Sequence, residues 1–264
     1  MSHPLLGMAA LTALAAPFGA DAGLVIDVQA FSKNGHTLDD PKGVLVAPGD
    51  TIIFRVYAQV TGADDTLPEC FQSLTGSFLS SGATRGDLRL NAAGITAPFG
   101  ASGSSGGQQA DLDGDGDLDM GSNNDADPAG YVAVRAAQLI GPALDHDDFH
   151  PPPRPIPGGW AYRIISNLRL NIASVGNGPT AVNFRPRISN TGGFWSLDAT
   201  EIVTDNGDGT SAYSYTGGHS FTDTSLVQAG EPVMLLPVPE PAALGLAVIA
   251  GLGLLARRRD AASQ

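Results

Sequence analysis

From Thr51 to Val60 the chain alternates without a break. Ile52, Phe54, Val56, Ala58 and Val60 fall on one side of an extended backbone, and Arg55, Tyr57 and Gln59 on the other. A period of two over a full strand length marks a sheet with one buried face. Gly159 to Ile172 repeats the signature: Trp160, Tyr162, Ile164, Leu168, Leu170 and Ile172 share one parity, and Asn167, Arg169 and Asn171 the other. That stretch is longer than a usual strand, which predicts a bulge or bend near Ser166. Between the two termini no segment carries helical periodicity.

Shorter apolar runs predict further strands at Leu24–Phe31, Gly43–Val46, Cys70–Leu79, Tyr131–Ala136, Val182–Ile188, Ala199–Val203, Ser211–Tyr215 and Pro232–Leu236. Asp205-Asn206-Gly207-Asp208-Gly209 separates two of them with residues that accept positive φ, the chemistry of a hairpin turn. The 34 glycines, 19 prolines and 6% aromatic residues suit many turns and short strands. These features predict an all-β body over residues 23–237, a single β-sandwich with long loops. The lone cysteine, Cys70, allows no intramolecular disulfide and reads as a small core residue beside Phe71.

The sharpest constellation is Asp111-Leu112-Asp113-Gly114-Asp115-Gly116-Asp117-Leu118-Asp119, within a calcium-type loop at 111–122. It fits D-x-D-x-D-G-x-x-D, an outline shared by EF-hand-type, dockerin-type and integrin-propeller calcium loops. Calcium takes six to eight oxygens, and alternate residues of a tightly wound loop can all point inward. The pattern assigns carboxylates to Asp111, Asp113, Asp115 and Asp119 and a backbone carbonyl to Asp117. Gly116 permits the turn, and Leu118 is expected to pin the loop to the core. Ser122 stands where an EF-hand has its bidentate Glu, so Asn123, Asn124 or Asp125 would have to close the site. A structural Ca²⁺ is the expected cofactor.

Other clusters carry less. His146 and His150, within Asp145–His150, have a spacing that needs a helix to bring both to one metal. Pro151, Pro152 and Pro153 argue for a solvated loop instead. Trp160, Phe194 and Trp195 offer a sugar-stacking platform, although aromatic residues in strands are more often core. No nucleophile elbow, H-E-x-x-H or phosphate-binding loop is present, so the chain reads as non-enzymatic with no catalytic residues. The formal net charge of −13 argues against nucleic acid as a partner.

The termini supply an address. Leu5 to Ala16 is apolar and uncharged, and Ala20-Asp21-Ala22 has the small-x-small pattern of a cleavage site, so residues 1–22 read as a signal peptide. At the other end Pro239-Glu240-Pro241 leads into an apolar run, 242–256, closed by Arg257, Arg258 and Arg259. The run is short for a membrane helix, and the arginines favour the cytoplasmic side. This segment, 238–259, resembles the PEP-CTERM sorting signal of bacterial envelope proteins. The resemblance implies recognition of the Pro-Glu-Pro motif by an exosortase-type processing enzyme, membrane attachment through the C-terminal helix before processing, and an exopolysaccharide-associated setting.

A second resemblance lies in the body. Val46-Ala47-Pro48-Gly49-Asp50-Thr51 before a long alternating strand, with Phe71-Gln72 about twenty residues on, is similar to the opening of cohesin-like β-sandwich domains. Thr180-Ala181-Val182-Asn183-Phe184 would be the matching strand near the domain's end, and the resemblance implies a nine-strand immunoglobulin-like or jelly-roll β-sandwich. The expectation is therefore an exported cell-envelope or extracellular-matrix protein with a structural or binding role, whose partner is an exopolysaccharide or another envelope protein. The alternatives are a cohesin-like protein-interaction module and a secreted glycan-active enzyme.

Overall fold

The structure is a computed structural model that describes residues 23–62, 68–142, 153–187 and 191–238. The expected signal peptide, the Pro239-Glu240-Pro241 motif with the apolar run behind it, and the Asp145–His150 cluster lie outside the described residues. Within them, no helix is long and apolar enough to cross a membrane.

The strands run in chain order as β1 (Gly23–Lys33), β2 (His36–Thr37), β3 (Gly43–Val46), β4 (Thr51–Thr61), β5 (Cys70–Gly82) and β6 (Arg85–Arg89). Then come β7 (Gln109–Ala110), β8 (Asp119–Met120), β9 (Val132–Ile140), β10 (Arg154–Ile156), β11 (Gly159–Ser174) and β12 (Thr180–Pro186). The last are β13 (Thr191–Leu197), β14 (Thr200–Asp205), β15 (Ser211–Thr216), β16 (His219–Asp223), β17 (Val227–Ala229) and β18 (Val233–Pro237). The protein is all-β.

One sheet of seven strands has the path β10-β11-β4-β1-β17, with β2 paired to β1 and β6 to β11. A second, of nine strands, has the path β16-β13-β5-β12-β18-β3, with β8 and β9 also paired to β5 and β7 to β8. Their apolar faces share one core. Ile52, Phe54, Val56, Ala58 and Val60 of β4 are all fully buried, as their alternation predicts. Phe71 and Phe78 come from the facing sheet, and Phe71 stacks on Tyr162 of β11 with centroids 6.2 Å apart. The hairpin β14–β15 stands apart and turns through Asn206–Thr210, with Gly207 and Gly209 at φ of 78° and 87°.

The bend expected in β11 is a pair of register shifts against β4, between Arg163 and Ile165 and between Ile165 and Leu168. Each adds one residue to β11, so the second undoes the first and Leu168, Leu170 and Ile172 return to the core face. Ile165, which a strict parity rule sends outward, pairs with Val56 and is fully buried. Cys70 is buried as expected, and burial, with Glu69 and Glu201 nearby, pushes its thiol up to about 12. A thiol of that kind is not a nucleophile at neutral pH.

The break at Pro48-Gly49-Asp50 is a turn that the Asp50 side chain holds. Its carboxylate accepts from Ala47 N at 2.8 Å and Asn34 Nδ2 at 2.7 Å, and it pairs with Lys33 at 3.5 Å. Burial alone would raise its pKa, but these three partners outweigh it and hold the group below the usual value of 3.8. A depressed carboxyl contributes stability above its unfolded pKa and loses it as pH falls through the folded one. Asp50→Ala is therefore expected to cost about 1–2 kcal/mol at pH 7. Urea unfolding of both proteins at pH 7 and pH 3 checks this, since the difference should shrink at the lower pH.

Candidate metal centre

The acidic loop is the tip of a very short hairpin. Gln109 pairs with Met120 and Ala110 with Asp119, and β8 joins the large sheet where Met120 pairs with Phe78. Gly114 and Gly116 take positive φ, 80° and 95°, which winds the chain tightly between the strands. The loop's own amides then turn its carboxylates inward. Asp111 accepts from Gly114 N at 2.7 Å and Gly116 N at 3.1 Å, and Asp119 from Leu112 N at 3.0 Å.

The opposite wall comes from the end of β5 and from β6. Ser80 donates its amide to Asp119 at 2.8 Å and its hydroxyl to Asp117 at 3.0 Å. The Ser81 hydroxyl donates to Asp113, Gly82 N to Asp115 at 3.0 Å, and Arg85 pairs with Asp115 at 2.8 Å. Among the described residues Arg85 is the one cation paired with a cluster of five carboxylates.

Two overlapping trios result. Asp111, Asp113 and Asp115 bring ligand oxygens within 4.8 Å of one another, and so do Asp113, Asp117 and Asp119. The inner members are deeply placed: Asp119 is fully buried and Asp117 only 5% exposed. Asp117 Oδ2 has the Ser80 hydroxyl, but Oδ1 is buried with no hydrogen-bond partner. Burial first, then repulsion from Asp115 and Asp119, pushes the Asp117 carboxyl up to about 7. Burial, with Asp113 and Asp115, pushes Asp119 to about 6. At Asp115 the Gly82 and Asp117 amides and Arg85 outweigh burial and hold the pKa below its usual value. The donor set consists of oxygens alone, the preference of a hard cation.

Several assigned roles change. Asp117 was expected to present its backbone carbonyl, yet it is the buried carboxylate that joins Asp113 and Asp119. Leu118 does not pin the loop, being 36% exposed. Its backbone does so, with Leu118 N donating to Gly86 O at 3.0 Å and Leu88 N to Leu118 O at 2.7 Å. The three side chains expected to close the site are engaged elsewhere. Asn123 bonds Leu112 O and Arg185, Asn124 accepts from Ala126 N, and Asp125 takes Arg187 and the Tyr131 hydroxyl. Sequence reading did not find Ser80, Ser81 and Arg85, which lie some thirty residues upstream and carry no local mark beyond the end of an apolar run.

The expected sugar platform fails for Trp195. Its side chain is fully buried and stacked on Phe221 at 5.7 Å, while Phe194 is half-buried. No protein-family model, curated protein or solved structure matches the chain.

Proposed function

We propose that this chain is an exported envelope or extracellular-matrix protein with a non-enzymatic structural or binding role, whose acidic loop holds a structural Ca²⁺. On this reading the body is an immunoglobulin-like or jelly-roll sandwich. Residues 1–22 direct export, and Pro239-Glu240-Pro241 presents the C-terminus to an exosortase-type enzyme. The support for sorting is the order of motif, apolar run and basic tail in the sequence. The support for calcium is the Asp117 carboxylate, buried beside Asp113 and Asp119 with one oxygen unpartnered. An anionic group placed so is costly unless a cation completes it. A divalent ion would be held by Asp111, Asp113, Asp115, Asp117 and Asp119, and would stiffen the loop against β5 and β6. Calcium suits such a loop better than magnesium, because it accepts more oxygens in a less regular arrangement.

Calorimetric titration with Ca²⁺ and Mg²⁺, followed by thermal melting, tests the metal assignment. One Ca²⁺ site is expected, with a stabilisation of about 2.7 kcal/mol at a hundredfold excess over Kd. For a chain of this size that is roughly 5–10 °C in Tm. A melting curve that ignores Ca²⁺, or responds equally to Mg²⁺, would remove calcium from the reading.

A further inference from the structure

The outer face of the seven-stranded sheet concentrates positive charge on an acidic protein. Because β4 sends its even-numbered residues into the core, Ile53, Arg55, Tyr57 and Gln59 point outward together with the residues registered beside them. Arg163 is registered opposite Tyr57, and Arg169 opposite Ile53 on one side and Arg89 on the other. Arg154 joins the same face through Ala161 and Gln59. Five of the chain's 14 lysines and arginines thus share one sheet face. Arg55 lies 3.2 Å above the Phe31 ring and Arg154 4.6 Å above Tyr57, so the aromatic rings hold the guanidinium groups in place. Burial, with Arg55 close by, lowers the Arg163 pKa below the usual arginine value.

The crowding is sharpest at Arg89 and Arg169. Like charges directly opposite in an antiparallel pair are unfavourable, and an anion held between them would relieve this. Arg89 has Asp87 at 3.2 Å, and Arg169 has no partner among the described residues. Both line a groove of about 500 Å³ with Asn91, Gln109 and Asn167. Asn167 Oδ1 is buried there with no hydrogen-bond partner. Guanidinium groups match the two oxygens of a carboxylate, and side-chain amides match hydroxyl groups as donor and acceptor at once. The acidic loop limits the anion further. Arg85 pairs with Asp115 at one end of β6 and Arg89 lines the groove at the other, about 13 Å along the strand. A polymer with a charge on every phosphate would meet those carboxylates, whereas one carboxylate on a hydroxyl-rich unit would not.

We propose that this groove, extended by the arginines of the sheet face, binds an acidic saccharide, with Arg89 and Arg169 holding the carboxylate of one uronate unit and Asn91, Gln109 and Asn167 its hydroxyls. This gives the binding role proposed above a ligand class and a surface. It uses none of the metal-loop carboxylates, so the two readings fail separately.

The test is calorimetric titration of the purified protein, in the presence of a chelator, with a short oligosaccharide that carries a single galacturonate unit. A neutral oligosaccharide of equal length, heparin and a single-stranded oligonucleotide serve as comparators. Saturable binding of this monouronate oligosaccharide that weakens with salt is expected. Arg89→Ala with Arg169→Ala should reduce affinity at least about tenfold, the scale of losing one charge-assisted bidentate contact. Arg89→Gln with Arg169→Gln should lower it similarly while the protein still melts cooperatively at no lower temperature. Absence of binding, equal affinity for the neutral sugar, equal or tighter binding of heparin or the oligonucleotide, or an affinity that survives both arginine pairs would overturn the proposal.

Discussion

Trp195→Ala is expected to destabilise the protein by about 3–5 kcal/mol, the usual cost of truncating a buried aromatic side chain. Trp195 is fully buried at the point where β13 lies between β5 and β16, registered opposite Phe71 on one side and Phe221 on the other. Phe71 in turn packs on Phe99 at 5.3 Å and on Tyr162 of the facing sheet. Removing the indole therefore opens a void beside an aromatic cluster that bridges both sheets, and close-packed neighbours collapse into it only in part. The indole Nε1 is buried without a hydrogen-bond partner, so packing rather than polar pairing carries the effect. Trp195→Phe should accordingly recover most of the loss. Guanidinium unfolding of the three proteins decides this: equal losses for both substitutions would mean that shape and volume are not what Trp195 supplies.

Asp117→Asn should have opposite effects with and without metal. In chelator at pH 8 the substitution removes a buried negative charge that lies beside Asp113 and Asp119. It keeps an acceptor for the Ser80 hydroxyl, so a gain of about 1–3 kcal/mol is expected. With excess Ca²⁺ the same variant should lose the roughly 2.7 kcal/mol that the ion contributes to the unaltered protein. Thermal melting under both conditions reads the two signs directly. A variant that is weaker in chelator, or that keeps the whole calcium response, would show that Asp117 is a structural hydrogen-bond acceptor and not a ligand.

What was readable in the chain was local. The alternation in β4 is a statement about which side of a strand each residue takes, and burial agrees with it residue by residue, whereas in β11 the agreement breaks at Trp160, Ala161 and Ile165. Asn206 to Gly209 and the glycines of the acidic loop marked turns because positive φ is a property of a single residue. β13 was not seen, because Gly192 and Gly193 depress strand propensity. At Gly193 a Cβ would come within 2.9 Å of Ser73 O on β5, a close approach that explains the glycine only after the pairing is known. Ile165 reaches the core face because a bulge moves it, and the bulge exists only relative to the register of β4.

The same division holds at the functional surfaces. The order of residues alone makes the body a set of strands, alternates five aspartates in a glycine-wound loop and leaves one face of β4 polar. Strand pairing is what turns the Asp117 carboxylate inward, brings Ser80, Ser81 and Arg85 together as the facing wall, and sets Arg89 opposite Arg169. Those outcomes depend on which strands pair and in what register. Register is set by the summed burial of whole apolar faces, so it places side chains far apart in sequence at distances that no local pattern encodes.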